Sequence, residues 1–378
     1  MNFELTDEQQ GLVETTRSLL ATKSPITRVR ELMDSGSGFD AELWRHGAEV
    51  GWPGLAIAEA DGGLGQGCVD LALVAVELGR ALAGTPFIST VVTADALSHT
   101  GTEQAGALLP TIADGSSIGT WAFAEFGQPW SIDAISTQAQ RHGSGFVLHG
   151  AKASVPDADV AGILLVDALL DGAPARFVVP ADSPGVGIRR QQTLDVARSY
   201  CDVTFDGVAL ESCALLDCAT TAASSIARTM ALNTVLTCAE LVGIGQRLLA
   251  MTVDYVKDRV QFGKPVGSFQ AVKHKCADMR IWVQASTAAT YHSAMALDAD
   301  HPSIERSVSS AKAYVSDAIN RVAGNALQLH GGIGFTWEHD LHLYLRRARV
   351  GSLLCGDATH HRELLCRQVE SAPEIACH

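Results

Sequence analysis

The sequence predicts an α+β protein in three successive parts: an N-terminal helical domain over 1–118, a middle antiparallel β-barrel or sandwich over 119–217, and a C-terminal four-helix bundle over 218–378. Three observations predict it. The hydrophobic period switches from helical to strand-like near 118 and back near 218. The strand signals between those points lie close together, with no helical segment to carry a parallel crossover. The chain has 378 residues, 47% apolar and 19% charged, so it is long enough for several cores and too apolar to be disordered.

In the first part, Thr6 and Gln9 have the spacing of a capping box that opens a helix through Leu20. DAELWRHGAEVGW carries apolar residues at helical spacing, and Val69 to Leu82 reads as a long apolar helix ended near Gly84 and Pro86. Between them GWPGLAIAEADGGLGQG is a glycine-dense loop without a period, and Gly36 to Gly38 marks a turn. In the second part, GFVLHGA, AGILLVDAL, ARFVVPAD and YCDVTFDGV are short apolar or alternating runs separated by Gly, Pro, Asp and Ser, which are strand signals. In the third, helical segments cover 219–258, 269–298, 303–329 and 338–349, with a shorter one at 357–371. Breaks fall at 263–267, at 300–302 and at GGIGF, and short connections between long helices predict a bundle.

The formal charge of −14 repels phosphate backbones, so nucleic acid is excluded as a general partner. A phosphate-bearing ligand must then be caught by a few placed Arg, Lys or helix ends. No apolar run approaches the ~20 residues of a membrane span, and MNFELTDEQQ has no signal-peptide pattern. Nine scattered cysteines without a CxxC pair predict free thiols in a reducing cytoplasm. GGLGQG and HGGIGF lack the strand–glycine–helix context of a Rossmann site. His339 with His342, and His360 with His361, have no third ligand spaced to join them, so no metal site is expected.

Two stretches carry chemistry. YVKDRVQFGKPVGSFQAVKH, 255–274, runs a basic helix end into a Phe-Gly turn and then a Ser268-led helix whose free amides suit an anion, with Arg259 as a phosphate clamp. The bland alternative is a salt-bridged turn. QLHGGIGFTWEHDLHLYLRRA, 328–348, removes side chains at Gly331 and Gly332 where a ligand could approach the backbone; alone, it reads as a helix corner.

Together, and in this order along the whole chain, these stretches resemble the acyl-CoA dehydrogenase family. GWPGLAIAEADGGLG resembles its Pro-Glu-x-x-Gly-Gly region, with Ala58 in place of the usual Pro. The resemblance implies FAD, an acyl-CoA thioester substrate, α,β-dehydrogenation and an electron-transfer-flavoprotein-type acceptor. It also implies a flavin shared by two subunits, one holding the isoalloxazine and its neighbour holding the adenosine diphosphate end. Carried over by position, the neighbour-side residues are Arg259, Phe262, Gln270, Gln328, Gly331 and Gly332, all intact. The isoalloxazine side departs from the family. Its Thr-Glu-Pro-x-x-Gly-Ser-Asp loop corresponds to Ala124-Glu125-Phe126-Gly127-Gln128-Pro129-Trp130-Ser131, and its Lys-x-Trp-Ile-Thr strand to Lys152-Ala153-Ser154-Val155-Pro156. The two positions from which the family draws its catalytic glutamate carry Asn233 and Cys355. Glu240, seven residues on along the same helix, and Asp357 are stand-ins for the missing base.

The resemblance therefore points to the base-less subunit of a heteromeric, α2β2 enzyme that completes the FAD site of a homologous catalytic partner. The sequence looks like the actinobacterial group acting on steroid-side-chain thioesters. The alternatives are a self-sufficient homomeric dehydrogenase with a relocated base, and a flavin-free binding scaffold; the intact Arg259 and Gly331–Gly332 region argues against the last.

Overall fold

The computed structural model describes residues 4–370. The first part is helical: α1 (Asp7–Lys23), α2 (Ile26–Ser35), α3 (Ala41–Glu49), α4 (Cys68–Ala81), α5 (Phe87–Ser98) and α6 (Glu103–Ala113). The capping box is present in both directions, since Gln9 N donates to Thr6 Oγ1 and Thr6 N to Gln9 Oε1, each at 3.2 Å. α5 gave no amphipathic signal because it has almost no polar face: every residue from Phe87 to Leu97 except Asp95 is buried.

Then come β1 (Gly119–Ala122), β2 (Gln138–His142), β3 (Gly145–Pro156), β4 (Ile163–Leu170), β5 (Ala173–Pro180), β6 (Val186–Arg190), β7 (Tyr200–Leu210) and β8 (Leu215–Cys218). They form one sheet in the order β6-β7-β3-β2-β4-β5-β8, with β1 beside β4. The expected antiparallel sheet is corrected to a mixed one, because β1 and β2 both pair parallel to β4. The missing crossover helices exclude βαβ units, but a strand excursion can also return a chain in parallel, and β2–β3 is such an excursion. Alternate residues point into one core of Leu148, Leu164, Val166, Phe177, Val203 and their neighbours. Phe146 on β3 meets Phe177 on β5 edge-to-face with centroids 5.3 Å apart, although β2 and β4 lie between those strands. Strands spaced ~4.8 Å apart permit this only if the sheet is rolled.

The last part comprises α7 (Ala219–Asp258), a minimal hairpin of β9 (Val260–Gln261) and β10 (Lys264–Pro265), α8 (Gln270–Asp298), α9 (Ile304–His330), α10 (Leu341–Leu353) and α11 (Ala358–Glu370). The expected end of the last helix at 371 lies outside the described residues. The expected start at 338 moves to Leu341, because Gly331–Phe335 and the turn after it interrupt the pattern. α7 is long and apolar enough to cross a membrane, contrary to the sequence expectation, yet 78% of its most apolar window is buried in the fold. That is the signature of a core helix.

The chain forms two compact units. One, the helical unit, contains residues up to 21, 72–82 and from 234 on; the other, the sheet unit, contains 22–71 and 83–233. Within the helical unit α4 crosses α7 at glycine: a Cβ on Gly79 would lie 2.2 Å from the Glu240 carbonyl oxygen, and one on Gly243 1.9 Å from that of Val76. Only hydrogen at these two positions lets the backbones approach so closely.

Candidate functional site

In the helical unit, α7 ends on Tyr255–Asp258 and the chain turns immediately into the β9–β10 hairpin, whose register pairs Gln261 with Lys264. The two turn residues, Phe262 (φ +53°) and Gly263 (φ +76°), are both left-handed, as a two-residue hairpin turn requires. For phenylalanine that conformation costs roughly 1–3 kcal/mol, and its ring is 90% exposed. Arg259 is exposed, and its guanidinium has no partner among the described residues. Gln270 is the first residue of α8, and the cap is Phe269 rather than the expected Ser268, so no side chain covers the first amides.

The second turn ends α9. Gln328, Gly331 and Gly332 are exposed; Gly331 has φ +62°, and no atom lies within 4 Å of a Cβ placed on either glycine. The two turns are brought together by a stack the sequence reading missed. Tyr255 lies flat on His330 with centroids 4.5 Å apart, and His330 meets His339 at 4.9 Å. Burial pushes the His330 pKa down, and its Nδ1 lies 2.8 Å from the Ala326 carbonyl oxygen. A neutral imidazole donating that hydrogen bond explains why it tolerates the interior. The residues fit the diphosphate end of a dinucleotide: an unpaired guanidinium, an uncapped helix start and an open glycine backbone offer donors and space.

The positions expected to hold a base do not present one. Cys355 is 4% exposed, with φ +59°, and its Sγ is 3.6 Å from Thr237 Oγ1. Its carbonyl oxygen accepts from His361 Nε2 at 2.8 Å, and burial pushes His361 down to about 4. Glu240 is 6% exposed and receives Arg347 Nη1 at 3.0 Å; it is the counter-ion of a buried guanidinium. Asp357 is exposed and caps α11, accepting from His360 N at 2.8 Å. Asn233, a half-buried amide on α7, belongs to the sheet unit.

In the sheet unit the Glu125 carboxylate is saturated. It accepts from Ser136 N (2.9 Å), Thr137 N and Thr137 Oγ1 (both 3.0 Å), Ser136 Oγ, and Lys152 Nζ (2.7 Å). Burial pushes its pKa up, but the Lys152 charge and these donors outweigh burial and hold it at about 2. Lys152 is fully buried and also donates to the Phe123 carbonyl; burial pushes its own pKa down. Trp130 packs its ring edge-to-face on Phe123 (4.7 Å) and Trp121 (5.5 Å). Behind them Trp121 Nε1 donates to Asp167 Oδ2 at 2.6 Å, and Arg176 grips the same carboxylate at 2.8 and 3.2 Å. Sequence could have found that pair: Asp167 and Arg176 are the charged residues inside two apolar strands, ILLVDALL and APARFVVP, and they face each other in register. Ser154 has φ +52° at a break in register between β3 and β7, where the resemblance places a flavin-contacting strand. Among the described residues no group of three or more His, Cys, Asp or Glu is placed to hold a metal ion.

Comparison with known proteins identifies the family of the chain. The acyl-CoA dehydrogenase N-terminal domain matches residues 6–116 and the acyl-CoA dehydrogenase C-terminal domain residues 223–370. The acyl-CoA dehydrogenase IpdE2 of Mycobacterium tuberculosis is 33% identical over 97% of this chain and 97% of its own. A chain of the Tcur3481–Tcur3483 steroid ACAD variant superposes with TM-score 0.88 at 30% identity, covering 96% of this chain and 98% of that one. A chain of the ChsE4–ChsE5 complex from Mycobacterium tuberculosis does so with TM-score 0.90 at 29% identity, covering 99% and 100%. With both terminal domains matched and its helix–sheet–helix order shared by these relatives, the chain belongs to the acyl-CoA dehydrogenase family of oxidoreductases.

Proposed function

We propose that this chain is the base-less subunit of a heteromeric acyl-CoA dehydrogenase and completes the FAD site of a homologous catalytic partner. The observation that carries the reading is an asymmetry. The turns bearing Arg259 and Gly331 are open, exposed and locked together by Tyr255 and His330, whereas the base positions hold a neutral amide and a buried thiol. Similarity to chains of a steroid ACAD and of a two-component complex supports both the heteromer and a bulky, steroid-side-chain acyl-CoA substrate. The same reading keeps 1–118, 119–217 and 218–378 as the domains and an electron-transfer flavoprotein as the acceptor.

In this assembly the Arg259 guanidinium and the amides of Gln270 and Ala271 would hold the cofactor's phosphates, and the bare backbone of Gly331–Gly332 would leave room for its adenosine end. A bound FAD supplies hydride acceptance at the β-carbon. Deprotonation at the α-carbon then requires a carboxylate from the partner. General-base help contributes about 10²–10⁴-fold, so the isolated chain, even saturated with FAD, is expected to turn over acyl-CoA thioesters at a small fraction of the rate of the complex. The test is an assay of the chain alone and with its partner, counting flavin per chain. Arg259→Ala is expected to lower flavin retention in the complex without lowering the melting temperature of the chain. Robust turnover by the chain alone, abolished by Asp357→Asn, would establish the homomeric reading instead.

A further inference from the structure

The helical unit contains a cleft of about 890 Å³ lined by residues of α7 and α8 and by Arg80 of α4. That volume lies within the ~300–1,000 Å³ of small-molecule sites. Its walls are apolar along Leu249, Val253 and Val283, and the guanidinium groups of Arg80 and Arg280 line it together with the Asp254 carboxylate. Arg280 is exposed and has no ion-pair or hydrogen-bond partner among the described residues. Arg80 Nη1 donates to Gln246 Oε1 at 3.0 Å, which leaves the Gln246 amide hydrogens for another acceptor.

Arg80 shares its counter-ion with a second guanidinium. Its one carboxylate neighbour, Glu77, is already held by Arg17 through two hydrogen bonds of 3.0 and 2.7 Å, and reaches Arg80 Nε only at 3.4 Å. Burial, together with the cations of Arg17 and Arg247, pushes the Arg80 pKa down. Tyr291, whose phenol burial pushes up to about 12, stays protonated as another donor. Asp254 is the one carboxylate lining the cleft, against two guanidinium groups. The excess is one positive charge. A bare inorganic anion would leave most of the volume and the apolar walls unfilled.

We propose that this cleft binds an amphipathic monocarboxylate, its head between Arg80 and Arg280 and its apolar body along Leu249, Val253 and Val283. The site is built from α4, α7 and α8 alone and does not rest on the proposed heteromeric role. Isothermal titration of the full chain with decanoate, decan-1-ol and decyltrimethylammonium tests it. Decanoate is expected to bind at least about tenfold more tightly than the other two, since a charge-assisted contact exceeds the ~1.4 kcal/mol that a decade requires. Arg280→Glu is expected to weaken decanoate by about tenfold or more and to leave the melting temperature of the free chain unchanged, because Arg280 is exposed and unpaired. Arg80→Gln, checked for folding by circular dichroism, is expected to weaken it similarly. Absence of decanoate binding, equal binding of decan-1-ol, or full affinity in Arg280→Glu would each overturn the proposal.

Discussion

Glu240 shows how a residue can mislead when read alone. Its helical phase makes it a base candidate, yet its carboxylate is the counter-ion of Arg347, which is 1% exposed. Removing one partner of a buried pair leaves a stranded charge, so Glu240→Gln is expected to cost about 3–5 kcal/mol in urea denaturation, whereas Glu240→Leu with Arg347→Met recovers most of it. Glu125 gives the second expectation at this scale. Its folded pKa of about 2 lies below the ordinary 4.5, so its contribution is complete above about pH 4.5 and is lost as pH falls toward 2. The shift amounts to on the order of 3 kcal/mol. Acid unfolding of wild type and Glu125→Gln checks this; the variant should lack that part of the slope. The motif residues Arg259, Phe262, Gln270, Gln328, Gly331 and Gly332 were legible because their types and spacing are local. The partners of Glu125, Glu240 and Cys355 were not, because Lys152, Arg347 and Thr237 lie far away in sequence.

Among elements, the long helices and the alternating strands were readable from their periods. α5 was not, since a helix buried on every side has no period to show. The parallel pairing of β1 and β2 with β4 was hidden for another reason: strand direction depends on connections, and periodicity carries no direction. The crossing of α4 and α7 yields an expectation in which two effects oppose. Ala in place of Gly243 should stabilise an isolated helix by about 1 kcal/mol. Here the added carbon would sit 1.9 Å from the Val76 carbonyl oxygen, and forcing extra volume into packed structure costs about 1–3 kcal/mol or more. Packing wins, so Gly243→Ala is expected to lower the melting temperature, and Gly79→Ala to do the same.

At the scale of the whole molecule, the exposed apolar residues include Val260 and Phe262 in the turn after α7 and Ile333, Phe335 and Trp337 after α9. These exposed apolar groups fit contact with another surface, as the proposed heteromer requires. Phe262→Asp is expected to keep the fold, since the residue is 90% exposed, and to abolish co-elution with the proposed catalytic partner in size-exclusion chromatography; co-elution at wild-type stoichiometry would assign the turn elsewhere. The composition of the helical unit has a further consequence, for the order of events at the ribosome. Its α4 segment is made early, but Arg80 finds Gln246 166 positions later, and the Arg80 carbonyl receives the Tyr344 hydroxyl 264 positions later. The sheet unit is made of residues no later than 233, so its whole chain is synthesised before most of the helical unit. Over that interval the apolar face of α4 waits for partners not yet translated, which makes nascent chains of intermediate length the species most in need of a chaperone.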